Sequence, residues 1–583
     1  MCGIFGVANI DVAGHAGHLR SCLEVLQHRG PDGIGDWKSE SVYLGHNRLS
    51  IIDLSEAGRQ PMSSGQVVIC VNGEIYNYPE LKKLLEKKYQ FKSGSDSEVI
   101  LHGFMEWGVE GLLSRLEGMY AFSVYDIDNQ KIYLVRDRSG IKPLYYSSID
   151  GQLGWASELK ALESFYNLGD NNVDPESILD FYTYKYIPAP KTLYRQVQKL
   201  LPAHYLEYDL PTKQIEIKKY WDISFSESSD DYQTAKDKLS GMISRAAKMQ
   251  LLSDAPVGAF LSGGIDSSLL LSMLSRTGHR IPTFSIIFNN PKYDESLRIN
   301  SIVDHLGLEN TQLKLEGRQA GENFKRMRRW FDEPFGDFSS LATYELCSLA
   351  SSSVKVAISG DGADELFGGY KRYLAQVDLD SSKKYDRFDV FKYFKALFGW
   401  TVPGRLVRYL ESKLLSGLDL YCFLTGGLLP NESMAIAKRL GVSSDYDLYW
   451  HFKEYLIPEL SPLKRMQYMD FKGAMPDTIL TKVDRLSMST SLEVRVPYLD
   501  TSVVEYAFSM PDKWLVSGHE TKMILRDMAS DFLPRSIYTA GKKGFGVPPE
   551  LRLNSSGKRC WGQDKILSEL YIDLETVRRL YNG

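Results

Sequence analysis

Two glycine-rich segments, each following a short apolar run, constrain this chain more than any other feature. VGAFL leads into SGGIDS at Ser262–Ser267, and VKVAI leads into SGDGADELFGGY at Ser359–Tyr370. An apolar run too short for a helix, closed by Ser and Gly and followed by a helical pattern, reads as a buried strand turning into a helix. The same alternation repeats nearby: TFSIIF is a strand, ESLRINSIVDHLG a helix, TQLKL a strand and SSLATYELCSLASS a helix. That order predicts a doubly wound α/β domain on a parallel sheet, with both loops leaving the carboxyl ends of strands, where open sheets bind ligands. Gly263 and Gly264 let backbone N–H groups approach phosphate oxygens, Ser262 and Ser267 add hydroxyls, and the helix that carries Asp266 offers its positive end. Neither a GxxxxGK loop ending in Ser or Thr nor GxGxxG occurs, which argues against a P-loop NTPase or a dinucleotide enzyme. Beyond about residue 375 the pattern becomes mostly helical.

The first half reads differently. LGHNRLSIIDL carries Arg48 on a strand, VVICVNGEIYN is a strand entering a polar turn, and MYAFSVYD, IDNQ, KIYLVRD form a hairpin. GSDSEVILHGF opens a helix with a capping pattern, Ser95 or Asp96 ahead of Ser97 and Glu98. The Pro-rich Tyr186–His204 and the polar SFSESSDD at Ser224–Asp231 bracket a boundary, so a strand-rich domain at 2–210 and a second domain at 211–583 are expected.

Cys2 is the candidate nucleophile. If the initiator Met is trimmed, its thiol sits beside a free α-amine of pKa about 7.7 to 8.0, able to take and return a proton near neutrality. A thiol enzyme acting on a free amino acid also needs a cation for the α-carboxylate, an anion for the α-ammonium and neutral donors for an oxyanion. Arg48, Asp96 and the pair Asn72 and Gly73 supply those types.

Sixty-nine Lys and Arg against 74 Asp and Glu give a net charge of −5, so neither nucleic acid nor an anionic membrane is favoured as a partner. The opening lacks the pattern of a secretory leader and no run reaches the roughly 18 apolar residues of a membrane span, which makes a cytoplasmic protein the expectation. Six cysteines, Cys2, Cys22, Cys70, Cys347, Cys422 and Cys560, are too scattered for a disulfide framework or a CxxC site.

The ordered set MCGI, HRGPD, RLSIID, NGEIYN and GSDSEV resembles the glutamine amidotransferase domain of the amino-terminal nucleophile class, over about residues 1 to 200. SGGIDSS resembles the pyrophosphate loop of ATP pyrophosphatases, and SGDGADE its partner motif in asparagine synthetases. Further matches, DEPFGD at 332–337, LTKVDRLSMSTSLEVRVPYLD at 480–500 and GKKGFGVP at 541–548, extend the resemblance to glutamine-hydrolysing asparagine synthetases over nearly the whole chain. The resemblance implies an α+β amino-terminal domain of layered antiparallel sheets (Ntn-hydrolase type) followed by an α/β domain of ATP pyrophosphatase type (adenine nucleotide alpha hydrolase) with extra helices. It implies Cys2 as nucleophile, Asn72 and Gly73 as oxyanion hole, and Arg48, Glu74 and Asp96 as glutamine ligands. It further implies ATP binding by Leu261, Ser262, Gly263, Gly264, Asp266, Ser267, Ile286, Ser359 and Gly360. Asp361 and Lys542 are implied at the adenylation and pyrophosphate step, and Asp266 and Asp364 as Mg²⁺ ligands. Ala540 stands where the family often has an arginine, which weakens the expected phosphate contacts of that loop.

The implied reaction strips ammonia from glutamine, activates the aspartate side chain with ATP and amidates it, in a homodimer with an apolar channel whose walls the sequence does not name. The motifs report glutamine and ATP, not the acceptor, so amidation of a sugar uronate in surface-polysaccharide synthesis is the alternative. The aromatic-rich stretch at about 375 to 470 could reshape the acceptor pocket or form a peripheral helical layer, and the peripheral layer is the expectation.

Overall fold

The computed structural model describes residues 2–316, 326–374, 408, 411–539 and 546–548. Lys542, Ala540, Cys560 and the segment KKYDRFDVFKYFKALFGW lie outside the described residues.

The amino-terminal half holds two six-stranded antiparallel sheets. Strand Gly3–Ala8 lies between Val42–Arg48 and Gln152–Ala156 in the first, and Val67–Ile75 pairs with Gly118–Asp126 in the second. Alternation along the first strand explains the layering. Ile4 and Ala8 join Val68, Cys70 and Trp155 in the core between the sheets, while Phe5 and Val7 face Leu19, Leu23 and Leu162 of two covering helices. Helices Tyr78–Leu85 and Glu98–Leu113 pack on the outer face of the second sheet. The result is a helix, sheet, sheet, helix stack of the Ntn-hydrolase type, and the predicted hairpin is present as Gly118–Asp126 paired with Lys131–Arg136.

The second half is built on a five-stranded parallel sheet in the order Asn310–Leu315, Thr283–Phe288, Val257–Phe260, Val356–Ile358, Glu493–Arg495. Helix Ile265–Arg276 packs on one face and Ser340–Ser351 on the other, which is the doubly wound arrangement. Chain order reverses between Val257–Phe260 and Val356–Ile358, so the two glycine-rich loops flank the switch point, where such sheets form their crevice. The fifth strand escaped the sequence reading: it is three residues long and begins and ends in charge, although Glu493 and Arg495 are fully buried.

The halves meet through an apolar cluster that mixes Leu49, Ile52 and Met119 of one with Val356 and Met488 of the other, and through a buried ionic junction. Arg29, fully buried, donates to Cys2 O at 3.0 Å, to Glu158 at 2.7 Å and to both oxygens of Asp484 at 2.9 and 3.0 Å. Arg485 then lies 3.0 Å from both Glu158 and Asp332. No helix of the described residues is long and apolar enough to cross a membrane, and the five described cysteines are free and buried.

Breaking a buried network by deleting one partner strands the remaining charges, at a cost of about 3–5 kcal/mol. Arg29→Met should lower the denaturation midpoint by a corresponding amount; an unchanged midpoint would show that the junction contributes little to holding the halves together.

Candidate active sites

Cys2 opens the first strand and is buried, and burial pushes its thiol pKa upward. Its backbone nitrogen donates to Asn72 Oδ1 at 3.0 Å. That bond fixes the amide orientation and leaves Asn72 Nδ2 buried without a hydrogen-bond partner. A buried donor without an acceptor is costly, and this one belongs to the amide bonded to Cys2, the residue whose sulfur would create an oxyanion on attacking a carbonyl. The following residue must be glycine, because a Cβ on Gly73 would stand 2.1 Å from Met119 O across the ladder.

Arg48 ends strand Val42–Arg48 and donates to Ser55 O at 2.6 Å and to Asp53 O. Asp53 in turn accepts from Gly94 N at 2.8 Å, joining the loop under Arg48 to the loop that carries Asp96. Of the two expected capping residues, Ser95 accepts from Ser97 N through its Oγ at 3.3 Å. Ser97 occupies the cap position without a side-chain bond, and Asp96 instead accepts from Ile75 N at 2.7 Å, just beyond Asn72, Gly73 and Glu74. Burial pushes Asp96 up to about 6 and Glu74 well above the carboxylate range. Glu74 lies 3.6 Å from Arg495 of the second half. A fixed cation, two buried carboxyls, a thiol and an open amide donor are thus gathered at one edge of the sheets.

In the second half, Ser262 and Ser267 tie their loop together by hydroxyls 3.1 Å apart, and Gly264 N donates to Ser262 Oγ at 3.2 Å. Leu261 is anchored to Phe284 O at 2.9 Å, beside Ile286. Across the switch point Ser359 donates its hydroxyl to Asp361 at 2.6 Å, and a Cβ on Gly360 would lie only 3.1 Å from Asp266 Cβ. Both loops line a cavity of about 590 Å³.

Lys522, which the sequence reading did not single out, lies between the loops. Its Nζ is 2.6 Å from Asp266 and 2.6 Å from Asp364. Burial opposes its charge, but the two carboxylates outweigh burial and raise its pKa. No motif links position 522 to the glycine-rich loops; its left-handed φ of 55° ahead of helix Met523–Ser530, a conformation non-glycine residues adopt at a cost, is visible only in three dimensions. Two carboxylates converging on one positive charge also suit a hard divalent cation that takes its other ligands from phosphate and water. Asp361 faces Ser359 rather than this pair, and burial raises its pKa.

The far wall of the cavity corrects one expectation. Leu424, Thr425 and Phe452, from the aromatic-rich stretch expected to be peripheral, line it. They face a helical run with π-helical turns at Asp470–Ala474 and Pro476–Leu480; such wide turns concentrate at functional sites. That run presents Thr478, Ile479 and Lys482 to the cavity.

The fold and its two sites define a class: an amino-terminal nucleophile amidotransferase domain joined to an α/β nucleotide domain of the ATP pyrophosphatase type. Comparison with known families agrees on both halves. Residues 1–221 match the family described as glutamine amidotransferase domain, and residues 238–583 the one described as asparagine synthase. Glutamine-hydrolyzing asparagine synthetase 1 of Bacillus subtilis (strain 168) is 33% identical over 576 residues, spanning 94% of this chain and 87% of the relative. A putative glutamine-hydrolyzing asparagine synthetase 2 of Methanocaldococcus jannaschii is 32% identical, spanning 85% of this chain and 100% of the relative. Amidase chyE of Penicillium rubens is 28% identical, spanning 93% and 86%. The chain belongs to the asparagine synthase family, whose members are glutamine-hydrolysing, ATP-using ligases.

Lys522→Ala leaves Asp266 and Asp364 facing each other without a counter-charge. Thermal stability should fall at pH 7 and be restored in part by millimolar Mg²⁺, read by thermal shift; a variant as stable as the parent and indifferent to Mg²⁺ would contradict the cation-sharing arrangement.

Proposed function

We propose that the protein is a glutamine-dependent asparagine synthetase, with residues 2–210 hydrolysing glutamine and residues 211–583 activating aspartate. The observation that carries this reading is the Asn72 amide, bonded to Cys2 N through Oδ1 and with its Nδ2 unpartnered among the described residues, in a chain whose other half pairs two glycine-rich loops at a switch point.

Arg48 takes the α-carboxylate of glutamine, and Asp96 with Glu74 takes its α-ammonium. The arriving cation favours the ionised form of these buried carboxyls. With Met1 removed, the α-amine of Cys2 accepts the thiol proton and sulfur attacks the side-chain carbonyl, while Asn72 Nδ2 and Gly73 N–H hold the oxyanion. Ammonia leaves with a proton returned from the amine, and water cleaves the thioester to glutamate. Neutral ammonia then crosses the interface along the apolar cluster of Leu49, Ile52, Met119, Val356 and Met488. In the second site the loops Ser262–Ser267 and Ser359–Asp361 hold ATP, with Leu261 and Ile286 near the adenine. Asp266 and Asp364 would hold Mg²⁺, which would neutralise phosphate charge. A side-chain carboxylate oxygen of aspartate attacks the α-phosphorus, pyrophosphate departs with its charge neutralised by Lys542 on the family's pattern, ammonia attacks the acyl carbon, and AMP and a proton leave. On the family's pattern we further read the enzyme as a cytoplasmic homodimer.

AMP and pyrophosphate release from Mg²⁺-ATP and glutamine should depend on aspartate and match asparagine formed, followed by mass spectrometry, and Cys2→Ala should keep this reaction with ammonia while losing it with glutamine. Glutaminase activity without aspartate-dependent AMP would move the protein to another acceptor, a panel of uronic acids being the next assay. The pH profile tests the glutamine ligands. Because Asp96 must be ionised to hold an ammonium and its pKa is about 6, the KM for glutamine should rise as pH falls below 6, by about tenfold per unit, and should lose that dependence in Asp96→Asn.

A further inference from the structure

The cations lining the second cavity are Lys185, Arg298, Arg372, Lys482, Lys522 and Arg526. Five have visible employment. Arg298 lies 3.7 Å from Glu295, Arg372 2.6 Å from Asp470, Lys482 2.9 Å from Asp337 and Lys522 2.6 Å from two aspartates. Arg526 donates to Thr521 O and Tyr538 O. The Lys185 ammonium alone has no hydrogen bond or ion pair among the described residues.

Lys185 is also held in place at a backbone cost. It follows helix Pro175–Tyr184 with φ of 73°, a left-handed conformation that favours glycine. Its carbonyl accepts from Gly336 N at 2.8 Å. A Cβ on Gly336 would meet Lys185 Cβ at 2.9 Å, and one on Gly426 would meet Thr183 O at 1.9 Å, so the segment is clamped between two close backbone approaches. The ammonium lies near Gly427, past the end of helix Gly417–Gly426, yet the carbonyl of Gly427 is already taken by Arg408. Burial lowers its pKa, and Asp337 opposes that shift.

Asp337 is the other half of the arrangement. Ser339 N and Oγ bond one carboxylate oxygen at 2.8 Å each, and Lys482 the other at 2.9 Å. Burial disfavours its charge, but Lys482 outweighs burial and lowers its pKa. With its side chain 36% exposed, the carboxylate keeps an open edge. An unpaired ammonium beside an ionised, partly open carboxylate complements a zwitterion. The phosphate end of the cavity has its own donors in the Gly263 and Gly264 backbone and in Lys522, whereas Lys185 is tied to Gly336, the neighbour of Asp337.

We propose that Lys185, contributed by the amino-terminal half of the chain, is the acceptor-specificity residue of the ATP site: its ammonium takes the α-carboxylate of an α-amino dicarboxylic acid whose α-ammonium faces Asp337, leaving the side-chain carboxylate to be activated. The inference rests on the reading of aspartate as acceptor. It adds that a uronate, which lacks the ammonium, fits poorly, and that the acceptor site is complete only when both halves are assembled.

Lys185→Gly removes the ammonium while relieving the left-handed strain, so the variant should fold at least as stably as the parent. Its KM for aspartate in the pyrophosphate-release assay should rise about 10- to 100-fold, the worth of one charge-assisted hydrogen bond, with the KM for ATP as internal reference; Lys185→Arg should recover part of the loss. The parent should prefer aspartate over 3-aminopropionate, which lacks the α-carboxylate, and Lys185→Gly should lose that preference. Equal losses for aspartate, 3-aminopropionate and ATP, or an unchanged aspartate KM, would overturn the assignment while leaving aspartate as acceptor. No aspartate-dependent AMP from the parent would instead overturn the acceptor reading, and this inference with it.

Discussion

The buried contact between Arg29 and Asp484 is the constraint on which the rest of this molecule depends. A guanidinium with no exposure to solvent is tolerated only if its donors are met, and Arg29 spends them on Glu158, Asp484 and the carbonyl of Cys2. The backbone of the candidate nucleophile is therefore tied to a helix of the other half, Thr481–Met488. That helix also carries Lys482 and Val483 to the cavity lined by the glycine-rich loops. One paired charge thus sets the register between two sites that lie on unrelated sheets. Apolar contact alone, as among Leu49, Met119, Val356 and Met488, would hold the halves together without specifying that register, because such contact is non-directional.

Against this well-paired junction, the two sites share an opposite property: each keeps a polar group without a partner. Among the described residues Asn72 Nδ2 is buried and unbonded, and Lys185, which lines the cavity, has no partner for its ammonium. Groups of this kind cost stability in the free protein, and the cost is recovered when a ligand or a developing charge supplies the missing partner. Glu74 and Asp96 follow the same logic through protonation. Burial raises both, and an arriving cation favours their ionised forms.

The sequence made the parallel domain legible because its strands are short apolar runs punctuated by Ser and Gly, and the order of those runs leaves few topologies. It made Cys2, Asn72, Gly73 and Asp96 candidates because each is the right type of group for one part of a zwitterionic amide substrate. It misjudged what was fixed by neighbours remote in the chain. Asp96 read both as a helix cap and as a partner for an ammonium, and only the fold reveals that one of its oxygens is claimed by Ile75 N from the adjoining sheet. The stretch around Leu424 and Phe452 looked peripheral, since an aromatic-rich helix has the same pattern whether it covers a surface or walls a cavity.

What the sequence determined by itself was local: which segments alternate at the strand period, where glycine must let a backbone approach, and which side chains can attack, hold a proton or neutralise phosphate. Tertiary structure alone decided which charges are met and which are left open. Lys522 and Lys185 are two lysines among many in the sequence, and Lys522 is pinned by Asp266 and Asp364 while Lys185 lines a cavity with no ion pair among the described residues. Pairing depends on distances of a few ångströms between segments hundreds of residues apart, and residue type and spacing along the chain carry no record of those distances.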